Sequence, residues 1–328
     1  MKTARRFAAL ISASALALTL TACGSNSAES TDSGSGAETV SIETNDGTVD
    51  VPKNPKKVVA LDNRSFQTLE DWGIKPVAAP RQLVSKSLKL RDDESVVDLG
   101  NHREPDLEAI VAAEPDLIIS GQRFTQHEDK IKKLAADTPI LNLEPRDGKP
   151  LGDELKRQTT ALGEVFGKEK EADELVKKFD DAQKSAKDSY NKDQTVMGLI
   201  STGGNLNYSA PSTGRGVGPL FDMAGLKPAL DVPDASEDHK GDDVSVEAIA
   251  KSNPDWIIVM DRDAAITLPE GEKYHPAKDV VSNSAALKDV TAVKEGHVLY
   301  MPEDTYVNES IQTYTKALEN LAEEFGKQ

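Results

Sequence analysis

The chain has 328 residues, 38% of them hydrophobic, and carries a formal net charge of −17. This length accommodates two domains of ordinary size, and the apolar content is that of a globular protein. So negative a surface excludes general electrostatic attraction to nucleic acid or anionic lipid, and an anionic ligand has to meet a local basic cluster. The single cysteine excludes an intramolecular disulfide.

The N-terminus has the pattern of a bacterial secretion signal. Three basic residues among the first six precede an apolar run over 7–20 that is short for a membrane span. Residues 20–23 read Leu-Thr-Ala-Cys and resemble a lipobox, whose cysteine receives lipid. We predict a signal peptide over residues 1–22, whose three positive charges are removed to leave −20, and a lipid on Cys23.

Residues 23–38 are rich in Ser, Gly, Ala, Asn and Thr and have almost no large apolar side chain. Such a composition cannot bury enough surface to fold, so we predict a flexible, lipidated tether. A tethered domain is held at the cell membrane and faces away from the cytoplasm. This localisation excludes a cytoplasmic enzyme.

The folded part contains an internal repeat. Residues 106–123 align without gaps on residues 245–262, and both segments predict a helix, a Pro-Asp turn, a buried strand and a final arginine. The predicted strands cover 117–119 and 256–259. The repeat indicates that the two halves of the chain share one α/β arrangement.

A second similarity precedes the first in each half. Residues 72–76 and 224–228 each predict the end of a helix at a glycine, followed by a strand. Each of these segments follows a predicted strand, over 57–61 and over 196–201. Strands alternating with helices predict two similar α/β lobes with mainly parallel sheets.

Between the halves, residues 152–192 are charged, lack proline and have apolar residues at helical spacing. Gly163 and Gly167 indicate two helices in series, the second of which joins the lobes. A single rigid crossover helix limits hinge bending, so we expect modest closure on a ligand. The expected divisions are an N-terminal lobe over 39–168, a bridging helix over 169–192 and a C-terminal lobe over 193–328.

The mature chain resembles the helical-backbone (class III) substrate-binding lipoproteins of iron-siderophore ABC importers, especially the enterochelin- and petrobactin-type subgroup. The lipobox, the paired Glu-Ala-Ile and Pro-Asp-x-Ile-Ile segments and the bridging helix carry this resemblance. It implies a periplasmic binding protein fold with the ligand in a cleft between the lobes. It also implies iron transport: a ferric siderophore, catecholate or mixed catecholate/carboxylate, is captured and delivered to ABC permease subunits without chemical conversion. We expect a monomer with no intrinsic cofactor.

Three arginines are the first candidates for ligand binding. Arg123 and Arg262 follow equivalent buried strands, one in each lobe, and ligands of parallel α/β sheets bind beyond the carboxyl ends of strands. Arg215 lies in the Gly-Ser/Thr-rich loop over 202–218. A surface salt bridge is the alternative for Arg123 and Arg262, but their symmetric placement favours a ligand; for Arg215 the candidacy rests on the resemblance of its loop to the family's stretch before an arginine-bearing helix start. Guanidinium groups match the clustered oxygens of ferric catecholates and hydroxycarboxylates bidentately.

Other candidates follow from the resemblance. His239 and Tyr306 occupy positions similar to a histidine and a tyrosine that complete the iron shell when a siderophore offers four donors. Phenolate is a hard ligand for Fe(III), and imidazole is borderline; a solvated histidine and a packed tyrosine are the alternatives. Arg64 and His102 depart from the subgroup and add basic, polar character to the first lobe.

Glu108 and Glu247 hold equivalent places near the starts of the two repeated helices. The resemblance implies that glutamates in the two lobes pair with arginines of the two permease subunits. The alternative is a favourable charge near a helix N-terminus, with no partner.

Other functions have less support from the sequence. It contains no glycine-rich phosphate loop, no His-Glu-x-x-His motif and no nucleophile elbow. Its five histidines are scattered, unlike the clustered ligands of zinc or manganese importers. A haem- or cobalamin-binding protein of the same fold stays open, as does a chelatase-like enzyme, although secretion opposes the enzyme.

Overall fold

The computed structural model describes residues 38–233, 235–236 and 238–327. The predicted signal peptide, Cys23 and all but the last residue of the tether lie outside these residues. No helix in the described ranges is long and apolar enough to cross a membrane.

Strands and helices alternate along most of the described chain. The strands are β1 (Thr39–Thr44), β2 (Gly47–Pro52), β3 (Val58–Ala60), β4 (Ala78–Ala79), β5 (Val97–Asp98), β6 (Leu117–Ser120), β7 (Ile140–Asn142), β8 (Val196–Thr202), β9 (Asn205–Tyr208), β10 (Trp256–Asp261) and β11 (Val298–Tyr300). The α-helices are α1 (Phe66–Asp71), α2 (Leu107–Ala112), α3 (Glu128–Leu134), α4 (Leu151–Phe166), α5 (Glu169–Ser189), α6 (Gly218–Ala224), α7 (Val246–Ser252), α8 (Arg262–Ala265), α9 (Ala277–Asn283), α10 (Thr291–Glu295) and α11 (Ile311–Phe325). Short 3-10 helices cover Arg81–Leu83, Lys89–Asp92 and Gln122–His127.

Each half of the chain forms its own sheet. The first has five parallel strands in the order β5-β4-β3-β6-β7, and the second has four in the order β11-β10-β8-β9. Within the second sheet only β9 runs antiparallel to its neighbour. The predicted fold class, two α/β lobes with mainly parallel sheets, is therefore confirmed. The antiparallel hairpin of β1 and β2 was not predicted.

The repeat has the same local construction in both lobes. The side chain of Asp106 caps α2 by accepting a hydrogen bond from the Ala109 N–H, and Ser245 caps α7 in the same way from Ala248. The following strands, β6 and β10, pair in parallel with β3 and β8, which come first along the chain in the five-stranded and the four-stranded sheet. Equivalent caps and pairings place the residues after β6 and β10 at equivalent edges of the two sheets.

The second similarity holds only in part. Gly73 and Gly225 have φ of +72° and +66°, the left-handed conformation that ends a helix at glycine. The first lobe then forms β4, as predicted. In the second lobe the predicted strand is wrong: Pro228 makes a single bridge to Val196. The hydrogen bonds of this bridge run from the Val196 N–H to the Lys227 carbonyl and from the Ala229 N–H to the Val196 carbonyl, and the pairing does not extend into a strand.

The segment between the sheets forms α4 and α5 in series, as its apolar spacing predicts. The break falls at Gly167, whose φ is +61°. Gly163 lies inside α4, where a Cβ atom would come within 2.7 Å of the Ala172 Cβ in α5. Gly163 therefore allows the close approach of the two helices.

The long helix between the lobes does not stand alone. The side chains of Leu155 in α4, Phe179 in α5 and Tyr314 in α11 share one buried core with the second sheet. The C-terminal helix α11, which was not predicted, packs along α5 and also reaches the first lobe. There the Gln312 side chain donates to Thr68 at 3.1 Å. Three packed helices and this contact across the lobes oppose a wide hinge motion.

Candidate functional site

A cavity of about 690 Å³ opens between the two lobes, at the ends of β6 and β10. Six of the seven residues predicted to bind a ligand line it, together with a wall from 82–91 and a short segment after α8. The lining residues are Gln82, Leu83, Arg91, His102, Arg103, Arg123, Arg215, His239, Arg262, Ala265, Ile266, Thr267, Tyr306 and Val307.

Three arginines surround the ring of Tyr306 in this cavity. The guanidinium carbons of Arg215, Arg262 and Arg123 lie 4.4, 4.9 and 5.4 Å from the ring centroid. These are cation–π distances, and Tyr306 is only 6% exposed. The structure thus gathers three positive charges from two lobes around one aromatic ring.

Each of these arginines keeps hydrogen-bonding capacity. Buried N–H groups at Nη1 of Arg123 and at Nε of Arg215 and Arg262 have no hydrogen-bond partner within the described part of the chain. A buried donor left unpaired costs about 1–3 kcal/mol. The folded chain therefore contains a cluster of unpaired N–H donors, and a bound ligand with suitable acceptor atoms would remove this cost.

The two predicted histidines lie on the same cavity. The ring of His239 is 6.5 Å from the ring of Tyr306, between centroids, and its side chain is exposed. Burial and nearby arginines lower the pKa of His239, and burial followed by Arg123 lowers the pKa of His102. These shifts favour the neutral imidazole, the form that ligates metals. No group of three His, Cys, Asp or Glu suited to hold a metal ion occurs among the described residues.

Arg64 is the predicted residue that the structure places elsewhere. It lines a neighbouring chamber of about 380 Å³, which shares Arg123 and Arg215 with the main cavity. Its guanidinium lies 3.2 Å from Glu144 and 3.8 Å from Glu309. Arg64 thus contacts the half-buried Glu144 and the buried Glu309 behind the cavity rather than the cavity itself.

Glu309 connects the arginines of the two lobes. Its carboxylate accepts hydrogen bonds from Arg215 Nη2 at 2.9 Å and from Gln122 Nε2 at 2.7 Å. Burial alone would raise the pKa of Glu309, but Arg215, Arg64 and Arg123 outweigh it and lower that pKa. Glu309 is therefore a buried negative charge beside the ligand cavity.

A second carboxylate pairs with Arg262. Asp263 Oδ1 accepts a hydrogen bond from Arg262 Nη1 at 2.9 Å, and Asp263 also accepts from Thr202 and from the Gly203 N–H. These bonds tie the turn after β8 to the start of α8. They orient the Arg262 side chain at the cavity wall.

Asp62, which lies between β3 and α1, is completely buried. Its carboxylate accepts hydrogen bonds from the Gln158 side chain and the Arg64 N–H. Burial raises the pKa of Asp62 to about 6, although Arg64 opposes the shift. Gly121 allows this approach, since a Cβ there would lie 2.6 Å from the Asp62 Cγ.

Neither carboxylate of the site, Asp263 or Glu309, was predicted from the sequence. Asp263 directly follows Arg262, and this adjacency was a usable signal. Glu309 precedes α11 in a stretch without a recognised motif, 94 residues from Arg215 along the chain. Only the fold brings that pair together.

Glu108 and Glu247 lie in the first turns of α2 and α7. Both side chains are exposed, and neither makes an ion pair with another described residue. Neither residue lines the cavity.

With this geometry in view, the comparisons with known proteins identify the family. A model of the periplasmic binding protein family (Peripla_BP_2) matches residues 58–305. The chain belongs to this family, as the sequence resemblance predicted.

Several relatives match along most of their length. The petrobactin-binding protein YclQ of Bacillus subtilis is 32% identical, with 92% of each chain covered. The ferric-anguibactin-binding protein FatB of Vibrio anguillarum is 26% identical, with 81% of this chain and 80% of that one covered. The crystal structure of YclQ matches with a TM-score of 0.75 and 28% identity, over 89% of this chain and all of that one.

Proposed function

We propose that this protein is the substrate-binding component of an ABC importer and that it captures an anionic ferric siderophore. One observation carries the proposal: Arg123, Arg215 and Arg262 converge from two lobes on a single cavity. The names of the relatives, a petrobactin-binding and a ferric-anguibactin-binding protein, support the same ligand class.

The chemistry of the cavity favours clustered oxygen anions. Its volume lies within the range that small-molecule ligands occupy. Guanidinium groups donate paired, charge-assisted hydrogen bonds, which suit the deprotonated oxygens of a ferric catecholate or of a mixed catecholate/carboxylate complex. Binding such oxygens would satisfy N–H groups that are otherwise unpaired.

Tyr306 and His239 are proposed to complete the coordination of the iron when the siderophore offers only four donors. A phenolate oxygen is a hard ligand for Fe(III), and a neutral imidazole is an acceptable one. The two rings lie close enough to face one ligand in the cavity, and the lowered pKa of His239 favours its neutral imidazole. The iron here is cargo, held mainly by the siderophore.

Delivery follows capture, with no chemical conversion of the ligand. We propose that the exposed Glu108 and Glu247 pair with the permease subunits and that lipid on Cys23 holds the protein at the outer face of the cell membrane. The equivalent placement of the two glutamates on repeated helices supports the docking proposal. The lipobox pattern supports the anchor.

The test is a titration of the mature chain, made as Cys23→Ser, with ferric catecholates, ferric hydroxamates, ferric citrate, haem and cobalamin. Neither Trp72 nor Trp256 lines the cavity, so quenching would report energy transfer to a coloured ligand rather than contact. We expect ferric catecholates to bind most tightly. Alanine at each of the three arginines should weaken that binding by about 1.5–3 kcal/mol, the range for hydrogen bonds to charged groups.

Two outcomes of this titration would contradict the proposal. Tight binding of haem or cobalamin, with no binding of ferric complexes, would show that the ligand is not a ferric siderophore. Unchanged affinity in all three arginine variants would remove the anion-binding cluster. Absorption spectra from the same titrations test the coordination: the ligand-to-iron charge-transfer band should shift in Tyr306→Phe, and an identical spectrum excludes Tyr306 as a ligand.

A further inference from the structure

Arg215 and Arg262, the cavity arginines of the second lobe, each form an ion pair with a buried carboxylate. Arg215 lies 2.9 Å from Glu309, and Arg262 lies 2.9 Å from Asp263. The carboxylates are only 4% and 5% exposed. In the described part of the chain, Arg123 makes no such ion pair.

These carboxylates are unexpected in a site that attracts anions. A buried negative charge beside the ligand opposes the binding of every negative group that enters the cavity. Glu309 also accepts a hydrogen bond from Gln122, so both lobes hold it in place. A residue needed only to orient Arg215 need not carry a full charge, because a neutral acceptor also receives an N–H.

The two carboxylates lower the formal positive charge around the cavity. Five arginines line the cavity, and the two carboxylates reduce their formal sum from +5 to +3. Arg64 and Glu144, in the chamber behind, pair with each other and cancel. The energy of a fixed charge with a ligand scales with the charge of the ligand. Removing one carboxylate therefore favours a trianion more than a monoanion.

We propose that Glu309, together with Asp263, is a specificity-determining residue that sets which ligand charge the site accepts. The proposal rests on the function proposed above and names a property of the same site. The two carboxylates limit the attraction of the most negative ferric complexes relative to less negative ones. Specificity of this kind is a difference of affinities, and a repulsive element contributes to it directly.

The experiment compares two iron complexes of one ligand chemistry. Ferric bis-catecholate is a monoanion and ferric tris-catecholate is a trianion, and the ratio of their dissociation constants is measured at fixed ionic strength. The variants are Glu309→Gln, which removes charge and keeps shape, and Glu309→Asp, which keeps charge. We expect Glu309→Gln to shift the ratio about tenfold towards the trianion, whereas Glu309→Asp retains the parent ratio.

Glu154→Gln is the matched control. Glu154 is also a buried carboxylate held by two arginines, Arg146 and Arg157, but it lies on α4 and does not line the cavity. Its substitution should leave the ratio unchanged. If Glu309→Gln does not fold, Asp263→Asn carries the same expectation at the second carboxylate.

Each result has a distinct meaning. An equal loss of affinity for both complexes in the glutamine and asparagine variants would show that the carboxylates only position arginines, and the inference would be wrong. An unchanged ratio would overturn it as well. A parent protein that binds neither complex overturns the proposed function, and this inference with it. A parent that binds both while the variants keep its ratio overturns this inference alone.

Discussion

The two copies of the repeat end in the same arginine but differ at the residue that follows it. Arg262 precedes Asp263, whose carboxylate pairs with it, whereas Arg123 precedes Phe124, which is completely buried in the core of the first lobe. The backbone construction up to these positions is shared, including the caps of α2 and α7. Equivalent places in a repeat therefore present the same charge in different electrostatic surroundings.

The geometry of the fold and the charge of the site are therefore determined by different residues. The repeated strand and helix fix where an arginine emerges. The next side chain decides whether the charge is compensated by the chain itself. Burial, followed by the nearby Arg215, lowers the pKa of Arg123, so the folded chain disfavours its charged form. A negative ligand would relieve this cost.

The largest expected effect on stability comes from breaking the ion pair between Arg262 and Asp263. Arg262→Ala leaves Asp263 buried without its counter-ion, and we expect the free energy of unfolding to fall by about 2–3 kcal/mol, below the usual cost because Asp263 keeps two other hydrogen bonds. Arg123→Ala removes an uncompensated charge, so stability should change by less than about 1 kcal/mol. Urea unfolding without ligand measures both. Equal losses in the two variants would show that the pairing of Arg262 does not matter.

The next expected effect is a pH dependence of the free energy of unfolding that arises in the first lobe alone. The first lobe buries Asp62 with a pKa raised to about 6, against 3.8 for the unfolded group. The folded state therefore binds this proton more tightly, so the contribution of Asp62 to stability is full below pH 4, is lost between pH 4 and 6, and is constant above pH 6. A shift of this size corresponds to about 3 kcal/mol. Asp62→Asn should remove this fall in urea unfolding between pH 4.5 and 7.

The control for Asp62 is a carboxylate shifted in the opposite direction. Burial would raise the pKa of Glu154, but Arg146 and Arg157 hold it below its usual value. The stability from Glu154 is thus present above pH 4.5 and is lost only as pH falls through its lower folded pKa. Glu154→Gln should keep the fall between pH 4.5 and 6. The same pH profile in Asp62→Asn and the parent would contradict the assignment to Asp62.

The smallest expected effect lies where the two copies are alike. Glu108→Ala and Glu247→Ala each remove an acidic residue from the first turn of a capped helix, so each should lower stability by only a few tenths of a kcal/mol. The double variant should bind ferric siderophore like the parent but fail to support its uptake by cells. Normal uptake at the parent level of expression would reject the docking proposal and leave only the helix-end effect.

The repeat explains how much of this arrangement could be predicted from the sequence. Periodicity and turn residues were enough for β3, β4 and β6 of the first sheet and for β8 and β10 of the second, but β5, β7 and β9 were not predicted. The shared repeat was enough to bring Arg123 and Arg262 to one cavity. Strands and repeated segments of this kind are specified by residues close together in the chain. The same local signals were not enough after Gly225, where a single bridge at Pro228 replaces the predicted strand.

Contacts between distant residues account for what was missed. Arg64 was predicted to add positive charge to the ligand site, but its guanidinium donates to Glu144, 80 residues away in the chain. Glu309 receives its hydrogen bond from Gln122 across 187 residues. Pairing of this kind leaves no periodic signal, so the carboxylates of the site follow only from the folded structure.

The contact of α11 with the first lobe also bears on the order of folding. The hydrogen bond from Gln312 to Thr68 joins residues 244 positions apart, and its donor lies in the last helix of the chain. Closing so long a loop is entropically costly, and distant contacts slow folding. A chain emerging from its N-terminus can complete its first sheet early, but it gains the contacts that join the lobes only when its final helix is free to pack.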